Sequence, residues 1–143
     1  MTAARYSEEM SQENVEIARS FMASPNAGDW ETMFAWFAPH VEIRDLAHAP
    51  DVPEVLIGRE AIRRVVAGWI ETYDDFRTEV YEYVDAEPWV ICDTRWYGKG
   101  KGSGMSIDQR SADAYEVEDG KIVRAIMGNP DTAQALEAVG LAE

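Results

Sequence analysis

Four successive segments in the second half of the chain alternate apolar and polar residues, and this pattern constrains the fold more than any other feature. The segments span residues 76–84, 89–97, 105–117 and 121–127. Alternation with a period of two is typical of strands that bury one face, and the turn sequence Glu118-Asp119-Gly120 before the last segment predicts a tight hairpin. The second half of the chain is therefore predicted to form a long antiparallel meander.

The first half of the chain is predicted to be mainly helical, because its apolar residues recur at helical spacing. Helices are predicted from about Ser11 to Ala23, after the cap residue Asp29 up to Pro39, and over residues 59–72, with a short final helix that starts at residue 130. A short strand, residues 41–45, and a loop up to Ile57 separate the second helix from the third. Helices that gather before a run of hairpins indicate an α+β protein and not a doubly wound parallel sheet.

Length and charge limit the class of protein. The 143 residues suit a single domain, which we expect over residues 11–143 after a flexible arm at residues 1–10. The net charge of −14 repels phosphate backbones and anionic lipids, which argues against nucleic acid or membrane partners. No apolar run approaches the roughly 20 residues of a membrane span, and no signal peptide is visible. The cytoplasm is the simplest location.

Asp113 is the first candidate for chemistry. The period of two places it on the mostly apolar face of its segment, together with Gln109 and Ser111. An inward carboxylate is costly unless it is paired, protonated or used. Pairing with an interior arginine, Arg95 or Arg124, is the alternative to a functional role.

Several local signatures, in a fixed order, resemble one known family. They lie at residues 27–30 (AGDW), 37–45 (FAPHVEIRD), 57–62 (IGREAI), 98–104 (GKGKGSG), 117–124 (VEDGKIVR) and 135–141 (ALEAVGL). Together they resemble the SnoaL-like branch of the nuclear-transport-factor-like superfamily, which includes ketosteroid isomerases. The resemblance implies a cone-shaped fold: a curved antiparallel sheet wraps around three helices from the N-terminal half, and a short helix ends the chain. It also implies an internal apolar pocket and a homodimer formed through the sheet face.

The same resemblance suggests roles for two carboxylates. Asp45, at the end of the first strand, matches the general base of ketosteroid isomerases. Asp113 matches their protonated acid, and SnoaL-like cyclases have an acid–base aspartate at that position. Phe21 matches a tyrosine of the isomerases but lacks its hydroxyl. Three tyrosines are candidates to replace that hydroxyl: Tyr73, Tyr97 and Tyr115.

The remaining expectations concern the pocket and its ligands. Its wall is expected to include Phe21, Val66, Trp69, Gln109, Ser111, Ala125, Met127 and Asn129. No cofactor is expected. No metal is expected either, because His40 and His48 lack the spacing of metal ligands. His48 is an alternative base near the pocket mouth.

The hypothesis that follows is a cofactor-independent isomerase or polyketide-cyclase-like lyase, which moves protons on a small apolar carbonyl compound. Its partner is a small hydrophobic molecule. Two other readings of the same fold are a non-catalytic small-molecule-binding domain and a dimerising domain. A fourth is an epoxide hydrolase, because limonene-epoxide-hydrolase-like members of the superfamily have an Arg-x-Asp pair on one strand and a second aspartate after the last hairpin. Asp93-Thr94-Arg95 resembles that pair in reversed order, and Met127 matches the position of the second aspartate. Asp93 and Arg95 could instead form an ion pair on one face of the sheet.

Overall fold

The structure, a computed structural model, describes the backbone of residues 3–24, 29–46, 55–100 and 106–140, with side chains from residue 13 onward. Its elements in chain order are α1 (Ala3–Ala23), α2 (Trp30–Ala35), β1 (Phe37–Asp45), β2 (Val55–Ile57), α3 (Arg59–Thr72), β3 (Tyr73–Ala86), β4 (Trp89–Gly100), β5 (Ser106–Glu118), β6 (Lys121–Asn129) and α4 (Thr132–Ala138). The prediction of an α+β fold, with helices ahead of the meander and a short C-terminal helix, is confirmed.

The described strands form one six-stranded sheet, in the order β2-β1-β6-β5-β4-β3. Consecutive strands from β3 to β6 pair antiparallel, as the alternation predicts. The β5–β6 hairpin turns at Asp119 and Gly120, both with positive φ, as a tight two-residue turn requires. Register shifts within the β3–β4 and β5–β6 pairs add local bends, which increase the twist and curvature of the sheet.

The two faces of the sheet bury different clusters. On one face, residues such as Val90, Cys92 and Trp96 of β4 pack with Phe21 of α1 and Val66 of α3 in the main core. On the other face, a smaller cluster contains Trp89, Ile91, Ala112, Ala114 and Ala135, the last from α4. Successive residues of β4 therefore serve opposite faces, as strand geometry requires.

The structure extends the predicted helix α1 and shortens α2. Helix α1 begins at Ala3 and not at Ser11, so most of the expected arm is helical. The segment is rich in alanine, glutamate, arginine and methionine, which have high helix propensity. Helix α2 begins after Asp29, whose carboxylate accepts a hydrogen bond from the Thr32 N–H at 3.2 Å, and it already ends at Ala35. Pro39 therefore lies inside β1, near a register shift, where the missing N–H is tolerated.

Two further features of the sheet were not predicted. Strand β2 has only three residues, too few to show an alternation, and it exists because it pairs with β1. Strand β1 also pairs with β6 in parallel, and this is the one parallel pair among the described strands.

Ion pairs on the outer face of the sheet join neighbouring strands. Arg95 donates to both oxygens of Asp108 at 2.9 and 2.8 Å, and Arg110 donates to both oxygens of Asp93 at 3.0 Å. The predicted pair between Asp93 and Arg95 is therefore wrong. Each guanidinium meets a carboxylate edge-on across the β4–β5 boundary, a bidentate geometry that two residues of one strand do not offer.

Among the described helices, none is both long and apolar enough to cross a membrane.

Candidate functional site

A cavity of about 480 Å³ lies between the main helices and the inner face of the sheet. Its wall is mostly apolar, and the few polar residues in it include Asp45, Gln109, Ser111 and Asp113. Six of the eight residues expected in the pocket line this cavity: Phe21, Val66, Trp69, Gln109, Ser111 and Met127. A cavity with few polar groups in an apolar wall is the usual form of a small-molecule site.

Asp113 is almost completely buried, with 1% of its surface exposed. Within the part of the chain that the structure describes, its carboxyl has four hydrogen-bond partners from three strands, and all four are neutral. Oδ1 accepts from the Ser111 hydroxyl at 3.0 Å and from the Gly128 N–H at 2.9 Å; Oδ2 accepts from the Trp96 Nε1–H at 3.0 Å and contacts Thr94 Oγ1 at 3.2 Å. Arg95 and Arg124, the cations considered as partners, instead bind Asp108 and Glu116.

Burial raises the pKa of the Asp113 carboxyl above its ordinary value, and the hydrogen bonds from Gly128, Trp96, Ser111 and Thr94 oppose that rise. The native state therefore keeps this proton to a higher pH than the unfolded chain does. The resulting contribution to stability is fully present below the ordinary pKa of a carboxyl. It declines as the pH rises through the raised pKa.

The hydroxyl of Thr94 also bears on whether Asp113 is protonated. Its single hydrogen has two acceptors within reach, the Ser111 carbonyl at 3.0 Å and Asp113 Oδ2 at 3.2 Å. If the hydrogen goes to the nearer carbonyl, an ionised Asp113 faces a second acceptor without a proton between them. A protonated Asp113 can instead donate to Thr94 Oγ1, which satisfies every group.

The Trp96→Phe variant should raise the pKa of Asp113 further. The indole N–H only donates, so it stabilises the ionised carboxylate more than the neutral acid, and its removal favours the acid. A ¹³C NMR titration of the Asp113 carboxyl measures the shift. Trp89→Phe, on the opposite face of the sheet, is the matched control and should leave the titration unchanged. An unchanged or lowered pKa in Trp96→Phe would contradict this assignment.

Asp45 reaches the same cavity from the end of β1. Alternation along this strand buries Val41 and Ile43 in the core and leaves Asp45 half-buried in the cavity wall. Asp45 lies opposite Met127 of β6, and the next residue of β6, Gly128, donates its N–H to Asp113. The parallel β1–β6 pairing therefore brings both carboxylates to one chamber on one side of the sheet.

Ala125 and Asn129 are not among the residues that line the cavity. Ala125 is fully buried in the core, and the Asn129 amide donates to the carbonyls of Ala112 and Ile126 at 3.1 and 3.3 Å. The prediction placed both on the face of Met127 by simple alternation. The β5–β6 register shifts in this region and Gly128 has a φ of 84°, so alternation does not continue from Met127 to Asn129.

One wall of the cavity is aromatic. Trp69, Tyr73 and Trp96 line it, and all three pack against Phe76, with ring centroids 5.8, 6.0 and 5.8 Å away. The alternation along β4 could have predicted Trp96 in this wall, since Trp96 shares the face of Cys92. The contribution of Tyr73 could not be seen in that way, because it lies where α3 passes into β3.

Within the described ranges, no group of three or more histidine, cysteine, aspartate or glutamate side chains is placed to hold a metal ion. His48, the alternative base, lies outside the described residues.

Comparison with known proteins identifies the family. The model of the SnoaL-like domain matches residues 18–125, which contain both carboxylates and most of the cavity wall. The chain belongs to the SnoaL-like domain family. None of the curated proteins matches this sequence significantly.

Solved structures share the SnoaL-like fold at low sequence identity. An NTF2-like protein from Burkholderia thailandensis is 26% identical, with a TM-score of 0.72, over 88% of this chain and 96% of that chain. A protein from Xanthomonas campestris, provisionally described as a polyketide cyclase, is 20% identical, with a TM-score of 0.66, over 91% and 98%. TerC, co-crystallised with polyporic acid, is 17% identical, with a TM-score of 0.70, over 90% and 98%.

Proposed function

We propose that this SnoaL-like protein is a cofactor-independent isomerase or polyketide-cyclase-like lyase, which transfers protons at the carbon next to the carbonyl of a small apolar compound. The observation that carries the proposal is the convergence of Asp45 and Asp113 on one largely apolar cavity. Two carboxylates in unlike environments can hold different protonation states at one pH, and an acid–base pair needs this difference. The descriptions of two similar proteins, one provisionally described as a polyketide cyclase and one co-crystallised with polyporic acid, fit this chemistry.

Asp113 serves as the acid of the proposed pair. A buried carboxyl surrounded by neutral donors favours its proton. When the substrate loses its α proton, negative charge develops on the carbonyl oxygen. The hydrogen of the neutral Asp113 turns from Thr94 Oγ1 to that oxygen, and in a dry cavity this hydrogen bond stabilises the charge where it appears.

Asp45 serves as the base. It is half-buried at the end of β1, so an ionised form keeps contact with solvent at the cavity wall. Its carboxylate takes the α proton, while the electrons of the C–H bond form the double bond of the enolate. The proton then returns from Asp45 to carbon, at the same or at another position, so that no cofactor or oxidant enters the balance.

Hydrogen–deuterium exchange of 2-tetralone, an apolar bicyclic ketone with acidic α protons, tests the proposal. In D₂O, the wild-type protein should accelerate the loss of the α-proton NMR signal over buffer. The Asp113→Asn variant should be slower by roughly 10²-fold or more, because an amide is a far weaker acid at this position. Binding of 2-tetralone without exchange would favour the second candidate below, and neither binding nor exchange would contradict both.

A non-catalytic small-molecule-binding domain is the second candidate, and one observation favours it. The carboxyl of Asp113 already has four partners within the protein. A group bonded in this way can fix β4, β5 and β6 around the cavity without taking part in any reaction. In that case Asp113→Asn would lower the stability of the fold without any effect on exchange.

The geometry gives less support to an epoxide hydrolase. Asp93 and Arg95 are not in the cavity wall, and each pairs with a residue of β5 on the outer face of the sheet. Three further sequence predictions stay as predictions: a single domain over residues 11–143, a homodimer through the sheet face and a cytoplasmic location.

A further inference from the structure

We propose that the side-chain amide of Gln109 binds a second polar group of the ligand, at the end of the cavity away from Asp113. The ligand is then an elongated ring compound with an oxygen at each end and an apolar middle. This inference rests on the proposed function, because it takes the reacting carbonyl to lie at Asp113. It adds a specificity for what the far end of the substrate carries.

The cavity follows the inner face of β5. Its wall contains every second residue of this strand from Ile107 to Tyr115. Gln109 and Asp113 belong to this row and are four residues apart, so their backbones lie roughly 13 Å from each other. A hydrogen bond of about 2.8 Å at each end leaves roughly 7–8 Å between two oxygens of a ligand that bridges these side chains.

The polar residue between Gln109 and Asp113 offers little to a ligand. Ser111 is 3% exposed, and its hydroxyl donates its single hydrogen to Asp113 Oδ1 at 3.0 Å. Thr94, opposite Ser111 on β4, is fully buried, and its hydroxyl already contacts the Ser111 carbonyl and Asp113. A second polar contact with the ligand in this row is therefore left to Gln109.

The amide of Gln109 is available for such a contact. Its side chain is half-buried in the cavity wall and has no hydrogen-bond partner within the part of the chain that the structure describes. A primary amide carries two N–H donors and a carbonyl acceptor, so it can bind a hydroxyl or a carbonyl group without any charge. A ligand oxygen that replaces water at this amide keeps the hydrogen bond and takes apolar ligand surface out of water.

The indole of Trp96 lies between the two polar ends. Trp96 is the residue of β4 directly opposite Gln109, yet its Nε1–H reaches Asp113 Oδ2 at 3.0 Å. The ring therefore extends along the strip from Gln109 to Asp113, and it is part of the cavity wall. Aromatic rings pack well against other flat rings, so this strip suits the apolar middle of a ring compound.

Equilibrium dialysis with three ring ketones tests the inference. The first, 2-tetralone, has only the carbonyl. The second, 6-hydroxy-2-tetralone, adds a hydroxyl at the opposite end of the two fused rings, and the third, 8-hydroxy-2-tetralone, carries the same hydroxyl close to the carbonyl. The wild-type protein should bind the 6-hydroxy compound about tenfold more tightly than 2-tetralone, the effect of one ordinary hydrogen bond. The 8-hydroxy compound should show no such gain.

The Gln109→Met variant removes the amide and keeps the length of the side chain. Its preference for 6-hydroxy-2-tetralone over 2-tetralone should disappear. Gln134→Met, on α4 and outside the cavity wall, is the matched control and should keep the full preference. A purely structural role of Gln109 would weaken the binding of both ketones by the same factor. That outcome, or an unchanged preference in Gln109→Met, would overturn the inference.

Exchange of 2-tetralone in D₂O separates this inference from the proposed function. If the wild-type protein catalyses exchange but shows no preference for the 6-hydroxy compound, the inference fails and the proposed function stands. If the preference is present and Gln109→Met loses it, but no exchange occurs, Gln109 stands as a binding residue and the proposed catalysis fails. If the protein binds none of the three ketones, both fail.

Discussion

The Asp45→Asn variant should lose catalysed exchange of 2-tetralone by a factor of about 10²–10⁴, the usual contribution of a general base. The amide has nearly the same shape as the carboxylate but cannot accept a proton from carbon. Asp45 is only half-buried at the end of β1, so the fold should tolerate the change. Binding of 2-tetralone should stay close to the wild-type value, because the base acts on a carbon-bound proton and not on the oxygen.

The matched control for this variant is Glu42→Gln. Glu42 belongs to the same strand, is also half-buried, and faces away from the side of Val41 and Ile43. The Glu42→Gln variant should catalyse the exchange of 2-tetralone at the wild-type rate. An Asp45→Asn rate within about tenfold of the wild type would rule out Asp45 as the base and leave the cavity with one carboxyl in a functional role.

The Phe76→Ala variant should lower the free energy of unfolding by about 3–5 kcal/mol, the range measured when a large buried aromatic is truncated. Phe76 is 9% exposed and lies at the centre of a ring cluster with Trp30, Trp69, Tyr73 and Trp96. Its removal leaves a void behind the aromatic wall of the cavity. Urea unfolding, followed by circular dichroism, measures the loss.

Tyr81→Ala is the control for this stability effect. Tyr81 lies on the same strand as Phe76 but is 51% exposed, and its ring stacks under Arg110 at 4.0 Å on the outer face. Its truncation should cost no more than about 1 kcal/mol. A loss below about 2 kcal/mol in Phe76→Ala would show that the wall is not held by this ring.

Local periodicity accounts for the parts of the fold that the sequence predicts well. Alternation located the strands of the meander, helical spacing located α3, and Asp119-Gly120 marked the last hairpin. The same alternation placed Asp113 on the inward face, and its burial agrees with that placement. These features depend on neighbours within a few residues, so a single sequence contains them.

The least predictable features depend on pairing between strands that are distant in the chain. The sequence shows that Asp113 is inward, but it does not show that Trp96 and Thr94 come from β4 and the Gly128 N–H from β6 to surround it. The bend at Gly128 likewise removes Asn129 from the face of Met127, although alternation along β6 would place both residues on one face.

The sequence by itself determined the class of fold, the inward direction of Asp113 and the position of Asp45 at a strand end. Only the tertiary structure decided that both carboxylates share one cavity, that neutral donors hold Asp113, and that the buried hydroxyl of Tyr115 has no hydrogen-bond partner among the described residues. The physical reason is that alternation fixes the side of a strand on which a residue lies. The register and bulges of the paired strands fix which residues it meets there.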